Sequence, residues 1–123
     1  MNGSREDRMS EILRDLRADS PGVEAAVLVS SDAMPLASEL GDSMDEELLS
    51  AMASSLVASG ERVARDLSRG SLDQVYLRGE EGDLVVVRVN DDALLACVVN
   101  NQARMGMTLL EVNRCAARLS EII

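Results

Sequence analysis

The chain has 123 residues, the length of one domain, and at that size folding takes roughly two-thirds of the unfolded surface out of water, enough for one self-sufficient core. Its 22 acidic residues against 12 basic ones set a net charge of -10, which repels nucleic-acid phosphates and anionic lipid surfaces. Tyr76 is the sole aromatic, so the chain offers no stacking platform for bases or sugars, and Leu, Val, Ala and seven Met must fill the core.

Met9, Ile12, Leu13 and Leu16 recur at i, i+3, i+4 and i+7 and predict a helix from Arg5 to about Asp19. Ser4 with Asp7 reads as its capping box, and Ser20-Pro21-Gly22 as its stop. The apolar run from Val23, VEAAVLV, predicts a strand. Asp32 and Pro35 mark a turn into a second strand, Leu36 to about Glu39. Ser43 with Glu46 predicts the cap of a long helix reaching about Ser68. Its expected core stripe is Leu48, Leu49, Met52, Leu56, Val63 and Leu67.

Three strands are expected next, Leu72 to Gly79, Asp83 to Asn90 and Ala93 to Val99, with turns at Gly82 and at Asn90-Asp91-Asp92. LVVVRV and LLACVV are nearly continuous apolar runs, as strands covered on both faces should be. A last helix runs from about Ala103 to the end, with Met105, Leu109, Val112, Ala116, Leu119 and Ile123 on one side. The order αββαβββα, with short hairpin connections, implies a mainly antiparallel five-stranded sheet. The long helix should lie on one face and the terminal two on the other, in an α/β/α three-layer single domain.

The residues that carry chemistry are scarce. There is no His, the commonest general base near neutral pH, and neither a phosphate-binding loop nor any Lys to serve one. Ser30-Ser31-Asp32 reads as a turn rather than a nucleophile with its carboxylate. Glu80, Glu81, Asp83, Asp91 and Asp92 read as solvated hairpin turns rather than a cation loop. Cys97 and Cys115 fit no metal spacing or disulfide framework and read as small buried hydrophobes. No catalytic, cofactor or metal site is expected. The polar N-terminus MNGSREDR lacks a leader pattern and no apolar run nears the ~20 residues of a membrane span, so the expected location is the cytoplasm.

Taken in order, three segments resemble roadblock (dynein light chain) domains. GVEAAVLVSSDAMPLASEL resembles their first hairpin, SGERVARDLSRGSLDQVYLRGEEGDLVVVRV their long-helix exit with the third and fourth strands, and LLACVVNNQARMGMTLLEVNRCAARLSEI their fifth strand and C-terminal helix. The resemblance covers nearly the whole chain. It implies a profilin-like three-layer fold and a homodimer joined edge to edge with its long helices side by side. It also implies a small Ras-like GTPase as partner, for which the chain acts as a non-catalytic adaptor or regulator. Many relatives carry Gly where Ala33 stands, so a different turn type is expected there.

Two sets of residues are expected to serve these contacts. Ala53, Val57, Gly60 and Ala64 form a row of small side chains on the long helix. Such a row either admits a second helix or is a solvent face of good helix formers; Gly60 favours the first, since a helix former suits solvent better. Leu72, Gln74, Tyr76 and Arg78 share one face of the third strand, polar enough to be an edge that pairs with an identical copy. The partner should meet the outward face of the long helix, at Glu47, Ser50, Ser54, Glu61 and Arg65, although a solvated face explains those residues equally well. The alternative function is a small-ligand sensor, which would need a pocket of convergent polar groups that this apolar core barely supplies.

Overall fold

A computed structural model describes residues 4–41 and 43–123. The elements are α1 (Arg5–Asp19), β1 (Val23–Ser30), β2 (Pro35–Glu39), α2 (Glu46–Asp66), β3 (Gln74–Gly79), β4 (Gly82–Asn90), β5 (Ala93–Val99) and α3 (Met105–Ser120). The sheet runs β2-β1-β5-β4-β3 and every pairing is antiparallel. Order, strand count and layering are as the sequence implies.

The capping box of α1 forms: Ser4 Oγ accepts the Asp7 amide at 3.1 Å, and the Asp7 carboxylate accepts the Ser4 amide at 3.2 Å. The cap of α2 falls elsewhere. Asp45, not Ser43, accepts the Leu48 amide at 3.1 Å, and Glu46 instead takes the Ser38 hydroxyl of β2. Other boundaries also move: β2 begins at Pro35, β3 at Gln74 and β4 at Gly82, and α3 spans Met105–Ser120.

The sheet separates two apolar clusters. Met9, Ile12, Leu13 and Leu16 of α1 with Val112, Cys115, Ala116 and Leu119 of α3 seal one face, against Leu28, Val85, Val87, Leu95 and Cys97. On the other face Leu49, Ala53 and Val57 of α2 cover Val27, Val29, Val86 and Ala96. The central strands β1, β5 and β4 are therefore covered from both sides, which is why they read as unbroken apolar runs.

Ala33 corrects an expectation. Its φ is +66°, the left-handed conformation that glycine takes without strain and that costs another residue about 1–2 kcal/mol. The turn holds it there: the Ala33 amide donates to the Ser30 carbonyl at 3.0 Å and the Met34 amide to Ser30 Oγ at 3.2 Å. Ser30 Oγ in turn donates to Asp32. The turn that glycine would make is kept without the glycine.

Candidate functional site

Each face of α2 has a distinct job, and the structure reverses the assignment made from sequence. Ala53 and Val57 are 0% and 7% exposed and lie against the chain's own sheet. Gly60 permits a close approach, as expected, but to this chain's β3 region: a Cβ there would stand 2.9 Å from Leu72 Cδ2 and 3.3 Å from Val75 Cγ2. Ala64, further along this face, is half-buried. The small-residue row is thus the inner face of α2, not a free seam.

Of the large residues expected inside, Leu49 is buried, but most of the others are outside. Leu48, Met52, Val63 and Leu67 are 55%, 47%, 56% and 62% exposed, with Leu56 half-buried between them. The helix sits close to a sheet already crowded with Val and Leu, so small residues fit beneath it. Rotation by 100° per residue then carries the larger ones to its flank.

Beside that flank lies β3, an edge strand as expected. Leu72 precedes β3 and turns to the α2 side beside Val75, so it does not share a face with Gln74 and Tyr76. Leu77 pairs with Leu84, which packs on the α2 side, and stays 44% exposed. It extends the apolar flank onto the sheet. Gln74 and Tyr76 are exposed on the opposite side of the edge. Tyr76 donates to Asp83 at 2.9 Å, and that bond to a carboxylate holds its phenol above the ordinary range.

The other flank of α2 carries the expected partner residues with one exception. Ser50 is fully buried and donates to the Glu46 carbonyl at 2.8 Å, so it belongs to the core. Glu47 and Arg65 are exposed, and Ser54 and Glu61 half-buried. Ser54, Glu61 and Arg65 form one wall of a crevice whose other wall is the β4–β5 hairpin with the approach to β3. Arg88 of β4 forms an ion pair with Glu61 across it. Asp73, Asp91 and Asp92 line its rim. Sequence reasoning missed Arg88, Asp73 and the hairpin aspartates as members of this site because nothing local ties them to α2. A charge in an otherwise apolar strand run, LVVVRV, was the available signal for Arg88.

The Roadblock/LC7 domain matches residues 9–100 of the chain. The protein belongs to the Roadblock/LC7 family. Two uncharacterized proteins of Methanocaldococcus jannaschii are each 29% identical over 98 residues, covering 80% of this chain and 85% of the relative. Among solved structures, the gliding protein MglB of Thermus thermophilus superposes with a TM-score of 0.87 at 21% identity, covering 99% of this chain and 93% of that one. A Roadblock/LC7 domain from Streptomyces avermitilis gives 0.84 at 20% identity, covering 89% and 92%. These structures show the shared fold.

The remaining chemistry of this roadblock domain is sparse. Burial pushes the Cys97 thiol far up and that of Cys115 to about 12, so both are inert hydrophobes. Among the described residues no group of His, Cys, Asp and Glu is placed to hold a metal ion, and no helix is long and apolar enough to cross a membrane.

Proposed function

We propose that the chain is a homodimeric, non-catalytic adaptor of the cytoplasm that binds a small Ras-like GTPase and modulates its activity or localisation. The observation that carries the dimer is the bare apolar flank of α2, Leu48, Met52, Val63 and Leu67, beside the open β3 edge with Leu77 uncovered. A contiguous apolar surface of that kind on a small domain marks an interface. Two-fold pairing of β3 with itself continues the sheet, puts both α2 helices on one side, and covers Leu77.

Membership of the Roadblock/LC7 family supports the GTPase as partner, and the absence of His and Lys supports a non-catalytic role. The partner's docking surface is the side of α2 left open by dimerisation, carrying Glu47, Ser54, Glu61 and Arg65.

Light scattering across a dilution series tests the dimer, with a dimer expected at micromolar concentration; a monomer there refutes it. Pull-down of purified small GTPases loaded with GTP or GDP tests the partner. Retention of a GTPase by the unmodified protein, and its loss in Glu47→Arg, is the expected result. One observation favours small-ligand sensing as a second reading. A cleft of about 570 Å³ lies between α1 and the hairpin turns, lined by Met9, Leu36 and Ile123 with Arg5 and Asp92. A ligand-induced rise in melting temperature, abolished by Met9→Gln, would favour that reading instead.

A further inference from the structure

Charge is divided unevenly between the layers of this molecule. Helix α1 carries four Arg and five acidic residues, and α3 two Arg and one acidic residue, so together they are neutral. Between Ser20 and Ala103 stand fifteen acidic residues and five Arg, which account for the whole net charge of -10. The sheet, its turns and α2 therefore carry the net negative charge, and the terminal helices are electrically balanced.

Beside α2 part of that charge lines a shaped recess rather than a bare surface. The crevice between α2 and the β4–β5 hairpin has two connected parts of about 210 and 900 Å³ that share Glu61, Arg88 and Asp91. Four carboxylates line it, those of Glu61, Asp73, Asp91 and Asp92, against the guanidinium groups of Arg65 and Arg88. Arg88 is engaged by Glu61, and its amide donates to the Asp73 carbonyl at 3.2 Å. Ser54 lines the narrower part, and its Oγ is buried with no hydrogen-bond partner among the described residues. An unpaired buried hydroxyl is destabilising and calls for an explanation.

We propose that this crevice is the docking groove for a basic segment of the protein partner. An arginine or lysine side chain inserts between Ser54, Glu61 and Asp91, and the hairpin aspartates hold neighbouring cationic groups. The proposal rests on the reading that a partner docks on the α2 side, and adds where it seats and which charge it presents. Two features choose a basic protein segment over other occupants. The surplus of carboxylates demands positive charge, and a recess with acidic side chains along its walls admits a long, narrow side chain better than a flat surface does. A guanidinium there gains charge-assisted bonds from the half-buried Glu61 and from the exposed carboxylates of Asp73, Asp91 and Asp92.

The test uses the full dimeric chain and an N-acetylated, amidated arginine-rich hexapeptide, with its citrulline counterpart as the uncharged control. NMR amide shifts at low salt should change at Ser54, Glu61, Asp73, Asp91 and Asp92 with the arginine peptide and stay still with the citrulline one. The double variant Asp91→Asn with Asp92→Asn should weaken that binding about tenfold, while Glu11→Arg on α1 leaves it unchanged. Shifts spread evenly over Asp45, Glu47, Glu80 and Glu81, equal binding of the citrulline peptide, or equal binding by the double variant would each overturn the groove. Calcium alone producing the same shifts would overturn it too, as a cation site. Should the double variant bind the cognate GTPase unchanged while Glu47→Arg weakens that binding, the groove is refuted and the adaptor reading stands; loss of GTPase binding in both variants supports the groove.

Discussion

The two helical layers solve the same problem, covering one face of a five-stranded sheet, with opposite materials. Helices α1 and α3 use large side chains, Met9, Ile12, Leu13, Leu16, Val112 and Leu119, all buried, and their outward charges cancel. Helix α2 covers its face with Leu49, Ser50, Ala53 and Val57 and leaves Leu48, Met52, Val63 and Leu67 in the open. Two helices side by side can close a sheet face between them with long side chains. A single helix must come close, and small residues let it. The difference teaches that the first layer seals its sheet face within one chain, with Met107 and Leu110 of α3 left exposed, whereas the second has a longer apolar flank and charge left to satisfy.

The comparison breaks most directly at Ala53. It is fully covered, so Ala53→Glu buries a charge without a partner and should destabilise the monomer's fold by about 3–5 kcal/mol. Urea unfolding measures it. The same change would leave stability almost untouched, and act only on self-association, if this row faced a second copy. Gly60→Leu belongs with it, since a side chain there collides with Leu72 and Val75; overpacking of about 1–3 kcal/mol is expected.

The bare flank gives the complementary experiment. Val63→Glu combined with Leu67→Glu alters two residues more than half exposed in the monomer, so circular dichroism should stay native. Dimer dissociation should rise by roughly a hundredfold or more, because charges placed in an apolar interface centre are costly. Sedimentation at several concentrations separates the outcomes. A dimer undiminished by the pair would move the interface off α2.

Reading the sequence recovers the layers and misplaces one rotation. Period-2 and period-3.6 patterns, the Ser4 capping box and the paired hairpin turns fix which elements exist and in what order. The rotation of α2 escapes because the rule that assigns a helix face is that its largest apolar residues enter the core. That rule holds for α1, where the apolar stripe is narrow. On α2 the large and the small residues form adjacent stripes, and local sequence carries no information about whether a given stripe meets its own sheet or another copy. Leu72 is misassigned for a related reason: strict alternation was extended backwards past Gln74, where β3 begins. The crevice was half legible, through Ser54, Glu61 and Arg65. Its other wall depends on strand register, which brings Arg88 and Asp91 to α2 from 27 and 30 positions away.

The sealed layer makes its own prediction at alkaline pH. Burial raises both thiols above their ordinary value of 9.0, with Cys115 at about 12. The folded chain thus keeps protons that the unfolded chain releases. Stability from this source is complete below pH 9 and is lost as pH climbs from 9 toward 12, by at most about 1.4 kcal/mol per pH unit for each thiol. Urea midpoints measured between pH 8 and 10.5 should fall, and Cys97→Ala should flatten that fall. A native protein whose thiols react readily with iodoacetamide at pH 8 would show that this layer is not sealed.

The smallest expected effect is the one that separates the layers most finely. Two serines of α2 lie one turn apart with opposite hydrogen-bond status: Ser50 Oγ donates to the Glu46 carbonyl at 2.8 Å, while Ser54 Oγ is buried and unpaired among the described residues. Ser50→Ala removes a made bond and should cost about 0.5–1.5 kcal/mol. Ser54→Ala removes a desolvated hydroxyl that returns nothing in the free chain, and replaces it with the better helix former, so it should be neutral or stabilising by up to about 1 kcal/mol. If that hydroxyl is held in reserve for a partner's cationic side chain, Ser54→Ala should at the same time weaken partner binding, with the two effects opposite in sign. Thermal melts and titration of the arginine peptide on the same preparations read both. A loss of stability in Ser54→Ala would mean that the hydroxyl is satisfied in the free protein, and that the α2 layer is as well sealed on this flank as α1 and α3 are against the sheet.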